Sequence, residues 1–191
     1  MGDEYYDIES ILAENQKVQC TFKVNVLEMG HLAGGEERDI KAMSKIQIPM
    51  WIAYILIYSD YADFNIPPAF SLRVRNALNA EARSVRLTSL VGQGGMWYTF
   101  GVMIMRLLND EPAMEMSNIL VKTFRGRLVD VIDQAQHFAS INTSSASGGS
   151  ADPTMAFREG LDGTERELFA LAQWSVKMMK KWHDSSEASK R

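Results

Sequence analysis

Three histidines, one cysteine, a cluster of glycines and a few pairs of carboxylates and arginines are the residues of this 191-residue chain whose types could do chemistry. Histidine is the usual proton carrier near neutral pH. His31 stands in a glycine-flanked loop, His137 near a predicted helix end and His183 close to the C-terminus. None has a His, Cys or carboxylate at metal-ligand helical spacing, such as two histidines four apart. They read as surface or capping residues. Cys20 alternates inward with Phe22 and reads as a small buried apolar residue, since a catalytic thiol needs a base beside it. Gly92, Gly94 and Gly95 precede a helical pattern and could offer amides to a phosphate. No Lys-Ser or Lys-Thr follows them as in a Walker loop, and a dinucleotide fingerprint has different spacing. They read as a plain loop.

The carboxylates point to solvated faces. Asp130 and Asp133 lie one turn apart opposite part of an apolar stripe, and Glu165 and Glu167 sit near the start of a helical turn, where negative charge is favourable. No enzyme, cofactor or metal site is therefore expected. The arginines carry the alternative. Arg75, Arg83 and Arg86 fall at offsets 0, 8 and 11, with Arg73 nearby, so one helix stripe would collect them. Such a stripe could track phosphates as a helical nucleic-acid-binding module. Arginines of an acidic protein more often meet carboxylates of a partner subunit, or water. A net charge of −4 weighs against a polyanion binder, which normally carries a basic footprint.

The elements that position these residues divide into two textures. Asp7–Glu14 predicts a short helix. In Val18–Val26, apolar residues alternate with polar ones, the period of a half-buried strand, and Ile46 with Ile48 predicts another. From Pro49 the pattern is helical. Pro49 and Pro67-Pro68 suit helix starts, where no amide donor is needed. Trp51–Tyr58 is apolar on every side, which predicts a buried helix. Further helices are expected over Pro68–Arg83, Gly95–Asn109 and Pro112–Ala139. Asp152 and Pro153 would open a last helix reaching Trp182, loosened around Gly160 and Gly163. The expected architecture is mainly α: a small β-containing N-terminal domain over 1–48 precedes an α-helical domain over 49–183. A flexible Ser/Gly loop is expected at 140–150 and a disordered tail at 184–191.

The chain is 46% hydrophobic and holds twelve methionines, which fill irregular gaps in cores and interfaces. A single cysteine cannot form an internal disulfide, which fits a reducing compartment. Met1–Glu14 lacks the basic start and apolar run of a secretory signal. The longest apolar run, Met50–Tyr58, is about half the length that crosses a bilayer. A cytoplasmic or nuclear protein away from membranes is expected. The last helix is the most telling element. Phe157, Leu161, Leu168, Phe169, Ala172, Val176 and Met179 make one face, and Leu171, Trp174, Met178 and Trp182 extend the apolar surface onto a second. A helix in a simple bundle needs only the first. The second is either deep core or surface awaiting a partner, worth several kcal/mol at about 25 cal/mol per Å². Phe169, Trp174, Met178 and Trp182 are the candidate interface residues.

Several of these segments, taken in order, resemble a known family. Tyr5-Tyr6-Asp7-Ile8, with Ile11-Leu12-Ala13 behind it, is similar to the opening of the third subunit of the GINS complex. Lys45-Ile46-Gln47-Ile48-Pro49-Met50-Trp51-Ile52-Ala53 resembles that subunit's Leu-Pro-Leu-Trp-Leu-Ala segment, with Gln47 and Ile48 in place of the more usual Glu-Leu. Pro67-Pro68 with Phe70, Asn76 and Leu78, then Tyr98-Thr99-Phe100-Gly101, then Thr123-Phe124 with Arg127 continue it. Leu161-Asp162, Glu165, Glu167-Leu168-Phe169 and Ala172 fit the family's last helix. Each motif is short and core-forming; their common order over residues 5 to 183 carries the likeness, while the Ser/Gly loop has no family signature.

The resemblance implies a nuclear heterotetramer with three other GINS subunits, each having a helical domain and a small β-rich one, the latter leading here. It implies that this assembly joins the MCM hexamer and a third component to form the replicative helicase of DNA replication. The role implied is architectural and non-catalytic, with DNA reached only through the assembled helicase.

Overall fold

The computed structural model describes residues 6–34, 36–91, 95–141 and 157–188, with the side chains of 137–141 and 187–188 outside it. Expectations for Tyr5, Gly92, Gly94, the 142–150 part of the Ser/Gly loop, Asp152, Pro153 and the His137 side chain lie outside the described residues. Helix α1 spans Ile8–Glu14. Asp7 caps it, accepting hydrogen bonds from the Ser10 amide at 2.9 Å and the Ser10 hydroxyl at 2.7 Å. Those bonds hold the Asp7 carboxyl below its ordinary value.

Strands β1 (Lys17–Phe22), β2 (Lys45–Pro49) and β3 (Ala62–Phe64) form an antiparallel sheet in the order β2-β1-β3. Val18 pairs with Ile48 and Cys20 with Ile46, and all four side chains are buried, as their alternation requires. Strand pairing stops at Phe22, short of the expected Val26: Val24 is exposed, and Val26 meets only Ile40 in an isolated bridge. β3 is three residues long and carries no period to detect. A left-handed turn at Asp60, with φ 60°, brings it back against β1.

Helix α2 (Met50–Tyr58) corrects the expectation of an all-round buried helix. Only Met50 and Ala53 are buried, whereas Trp51, Tyr54, Ile55 and Tyr58 are exposed. These four fall one helical turn after another on a single face. An apolar periphery on all sides needs two partners, and the chain's own core supplies one.

The helical part follows. The expected Pro68–Arg83 helix is divided into a 3₁₀ turn over Pro68–Phe70, helix α3 (Leu72–Glu81) and a second 3₁₀ turn over Ala82–Ser84. Ser71, extended at ψ 158°, makes the first break. Helix α4 (Trp97–Met105) buries Trp97, Phe100, Gly101, Met103 and Ile104. A methyl group on Gly101 would lie 2.7 Å from Leu120 Cδ2, so glycine here permits the close approach of the next helix. Helix α5 runs over Asp110–Ile141 and takes in Ser140, the first residue of the expected loop. Helix α6 runs over Gly163–Ala188. The chain breaks fully at Gly160–Asp162, where loosening was expected. The expected tail at 184–191 is corrected as far as Ala188: no Gly or Pro interrupts this stretch, and the Ser185 and Ser186 hydroxyls bond back to the Trp182 and His183 carbonyls at 2.8 Å.

One hydrophobic core runs from Ala13 through the sheet and α4 to Leu120. It crosses the expected boundary at residue 48, where β2 passes directly into α2. A second cluster of Val131, Ala135, Phe157, Leu161 and Phe169 joins α5 to the start of α6.

Candidate protein-interface surfaces

The chain's most constrained polar group is buried between α4, α5 and α6. Arg127 lies on the inward face of α5, among Thr123, Leu120 and Val131, and is fully buried with Glu165. Its Nε donates to Glu165 Oε1 at 2.7 Å and its Nη2 to Glu165 Oε2 at 3.0 Å, a forked pair. Nη1 donates to the Ala82 and Val85 carbonyls at 2.7 and 2.9 Å, and the guanidinium stacks 5.0 Å from the Phe157 ring centroid. Tyr98 donates its hydroxyl to Glu165 Oε1 at 2.9 Å.

Asp162 and Glu165 form a capping box at the start of α6. Asp162 Oδ2 accepts from the Thr164 amide at 3.3 Å, and Glu165 Oε2 accepts from the Asp162 amide at 3.1 Å. The other Asp162 oxygen accepts from the Trp97 amide. Burial pushes the Asp162 carboxyl up to about 6 despite these bonds, aided by the nearby charges of Glu165 and Glu9. Burial also raises the Tyr98 phenol, with the Glu165 charge adding to it. Two backbone bonds complete the seam: Gly163 N–H to Gly95 O at 2.8 Å and Leu87 N–H to Gly160 O at 3.0 Å.

This network corrects the solvated reading of Glu165, which is a core residue, while Glu167 is exposed. Two signals in the sequence pointed to it. Arg127 sits at offset 7 from Leu120 on a face otherwise apolar, and Asp162-x-x-Glu165 has capping-box spacing. Every side-chain nitrogen and oxygen of the pair has a partner within the chain, so its arrangement is structural.

The arginine stripe is corrected in the same direction. Arg75 bonds Glu115 at 2.8 Å and the Phe70 carbonyl at 2.9 Å; Arg83 meets Asp130 at 3.0 Å and Arg86 meets Glu159 at 3.1 Å. The chain's own carboxylates therefore offset the charge that a phosphate backbone would need; of the four arginines, Arg73 is the exposed one that pairs with no carboxylate among the described residues. Asp130 is accordingly an ion-pair partner. Burial raises the Cys20 thiol to about 11, which keeps it protonated. Among the described residues no cluster of His, Cys, Asp or Glu could hold a metal, and no helix is long and apolar enough to cross a membrane.

Besides Tyr6, Ile8, Ile11 and Leu12 at α1, exposed apolar side chains gather on two further surfaces. The first is α2, with Trp51, Tyr54, Ile55 and Tyr58, where the Tyr54 and Tyr58 rings stack 6.4 Å apart. The second is the pair α5 and α6. Trp174, Met178 and Trp182 are exposed there, Trp174 at 61% and Trp182 at 70%, together with Leu171 and Met179. Phe169 is corrected: at 7% exposure it packs with Val131 and Ala135 because it falls on the inward face of α6. On α5, Val121, Val129 and Ile132 are exposed. A groove of about 590 Å³ runs between the helices, lined by Leu128, Ile132, Leu168, Leu171, Val176 and Met179 among others. Exposed apolar side chains gathered along a groove mark interaction sites.

Comparison with known proteins accounts for both halves of the fold. Residues 6–58 match the PSF3 N-terminal domain and residues 69–184 the GINS complex protein helical bundle domain. The first match places α2 with the sheet, ten residues beyond the boundary expected from sequence texture. The chain is 36% identical to the DNA replication complex GINS protein psf3 of Aspergillus fumigatus, covering 98% of this chain and 99% of that one. It is 35% identical to the PSF3 protein of Phaeosphaeria nodorum over 93% of this chain and 94% of that one. Identity to the psf3 protein of Schizosaccharomyces pombe is 31%, covering 96% and 99% respectively. With a PSF3-type sheet domain leading and a GINS helical bundle following, the chain belongs to the PSF3 family of GINS proteins.

Proposed function

We propose that this chain is a non-catalytic structural subunit of a heterotetrameric GINS complex that works in the nucleus during DNA replication. In this reading it packs against three sister subunits through α2 and the α5–α6 face. The assembly joins the MCM hexamer and a third component of the replicative helicase, and DNA is reached only through that larger machine. The observation that carries the reading is the match along nearly the whole chain to proteins described as DNA replication complex GINS subunits, both domains in order. The exposed aromatic residues of α2 and α6 support it, since a solitary protein gains nothing from leaving Trp51, Trp174 and Trp182 in water.

Co-expression with the three sister subunits, followed by mass spectrometry of the intact assembly, tests the proposal. The expected result is one species containing one copy of each subunit, and a chain that stays monomeric beside soluble sisters would overturn it. A fluorescent fusion expressed in its own cells should concentrate in the nucleus, and a fusion excluded from it would count against the location.

A further inference from the structure

We infer that the α5–α6 face receives an amphipathic helix of a sister subunit whose edges carry carboxylates. The inference rests on the GINS reading and adds the chemistry of the partner. Exposed side chains of Val121, Val129 and Ile132 on α5 and of Leu171, Trp174, Met178, Met179 and Trp182 on α6 bank the groove between the two helices. Together they leave on the order of 1,000 Å² bare, comparable to the roughly 800 Å² that one side of a standard specific interface buries. A groove between two helices suits the apolar ridge of a third.

Charge selects the partner. Arg125, four residues after Val121 and four before Val129, shares the exposed face of α5, and Asp130, the one acid between Val121 and Ile132, is turned to Arg83. On α6 the segment Leu171–Trp182 contains three lysines and no carboxylate. Lys177 and Lys181 are exposed and lie one turn from Trp174 and Met178, on the side away from α5. Cations therefore edge both banks of an apolar groove. A helix seated there with Asp or Glu along its flanks pairs with them, and one with basic flanks is repelled.

The test uses the full chain within the co-expressed four-subunit assembly. A carbodiimide, which joins an amine directly to a carboxylate, is expected to link Lys177 or Lys181 to an Asp or Glu of a sister subunit. The double variant K177E/K181E is expected to lower the tetramer recovered at moderate salt at least tenfold, and K177Q/K181Q less. The exposed-site variant W174S/W182S is expected to lose assembly while the chain keeps its helical circular dichroism. If the tetramer forms, yields no such link and tolerates K177E/K181E, the inference fails while the GINS reading stands. If the wild-type chain never assembles, the GINS reading itself fails. If K177E/K181E assembles normally but loses binding to duplex DNA, the face serves nucleic acid and the inference is overturned.

Discussion

The junction around Arg127 and the outer face of α5 and α6 reverse the usual placement of side chains. An arginine and two carboxylates are fully buried, while two tryptophans two turns apart on α6 stand in water. The same two helices carry both arrangements, on opposite faces. The inner face holds the chain's own elements in register, since Arg127, Glu165, Asp162, Tyr98 and Trp97 leave few alternative ways to dock α6. The outer face makes little contact with its own chain. If the outer face is where sister subunits dock, as proposed, stability and association lie on separate surfaces, and substitutions should separate them.

The largest effect is expected inside. Arg127→Ala leaves Glu165 buried without its partner and should destabilise the chain by about 3–5 kcal/mol. Chemical denaturation of the full chain measures this, and a loss under 1 kcal/mol would show that water enters the junction. The double variant Arg127→Met with Glu165→Leu should recover much of that loss, because no charge is then stranded. Phe169→Ala should cost a similar amount, about 3–5 kcal/mol, by opening a cavity against Val131 and Ala135.

A smaller effect is expected from pH. Asp162 has a folded value of about 6 against 3.8 for the free group, so the folded state binds its proton more tightly. Its contribution therefore favours folding most at pH 4 and below and declines as pH rises toward 6, by about 3 kcal/mol at most. Asp162→Asn keeps an acceptor for the Trp97 amide and removes the titration. Urea midpoints between pH 4 and 7 should thus be flatter for this variant than for the wild type; identical curves would assign the dependence to other groups.

The smallest effect on folding is expected outside. Trp174→Ala should change unfolding free energy by about 0.5 kcal/mol or less, as for other exposed positions. The same substitution should weaken recovery of the four-subunit assembly strongly. If Trp174→Ala instead unfolds the chain, the division between the two faces is wrong.

Much of this was legible in the sequence, and the failures share a cause. The alternation of Val18, Cys20 and Phe22 gave β1, and the stripe Phe100–Met103–Ile104 gave α4, because each has one buried face and hence one period. α2 was misread because period reports apolarity, and Trp51, Tyr54, Ile55 and Tyr58 are apolar without being covered. Glu165 was misread for the opposite reason. Its charge suggests water, and although the capping-box spacing places it at a helix start, its pairing with Arg127, 38 positions away, follows only from the fold. The second face of α6 was left open between core and surface, and the structure turns it outward: Leu171, Trp174, Met178 and Trp182 are all exposed.

The separation of Arg127 from Glu165 also bears on how the chain is made. Synthesis runs from the N-terminus, so Arg127 leaves the ribosome well before the carboxylate that neutralises it. Until Glu165 follows, α5 has a cation on its core-facing side, and the bundle closes only when α6 arrives. A message truncated anywhere between these two codons would yield a product with the whole PSF3-type sheet encoded but its bundle unable to close. Such a fragment would be a ready substrate for quality-control proteases, and only chains finished through α6 would carry the complete outer face.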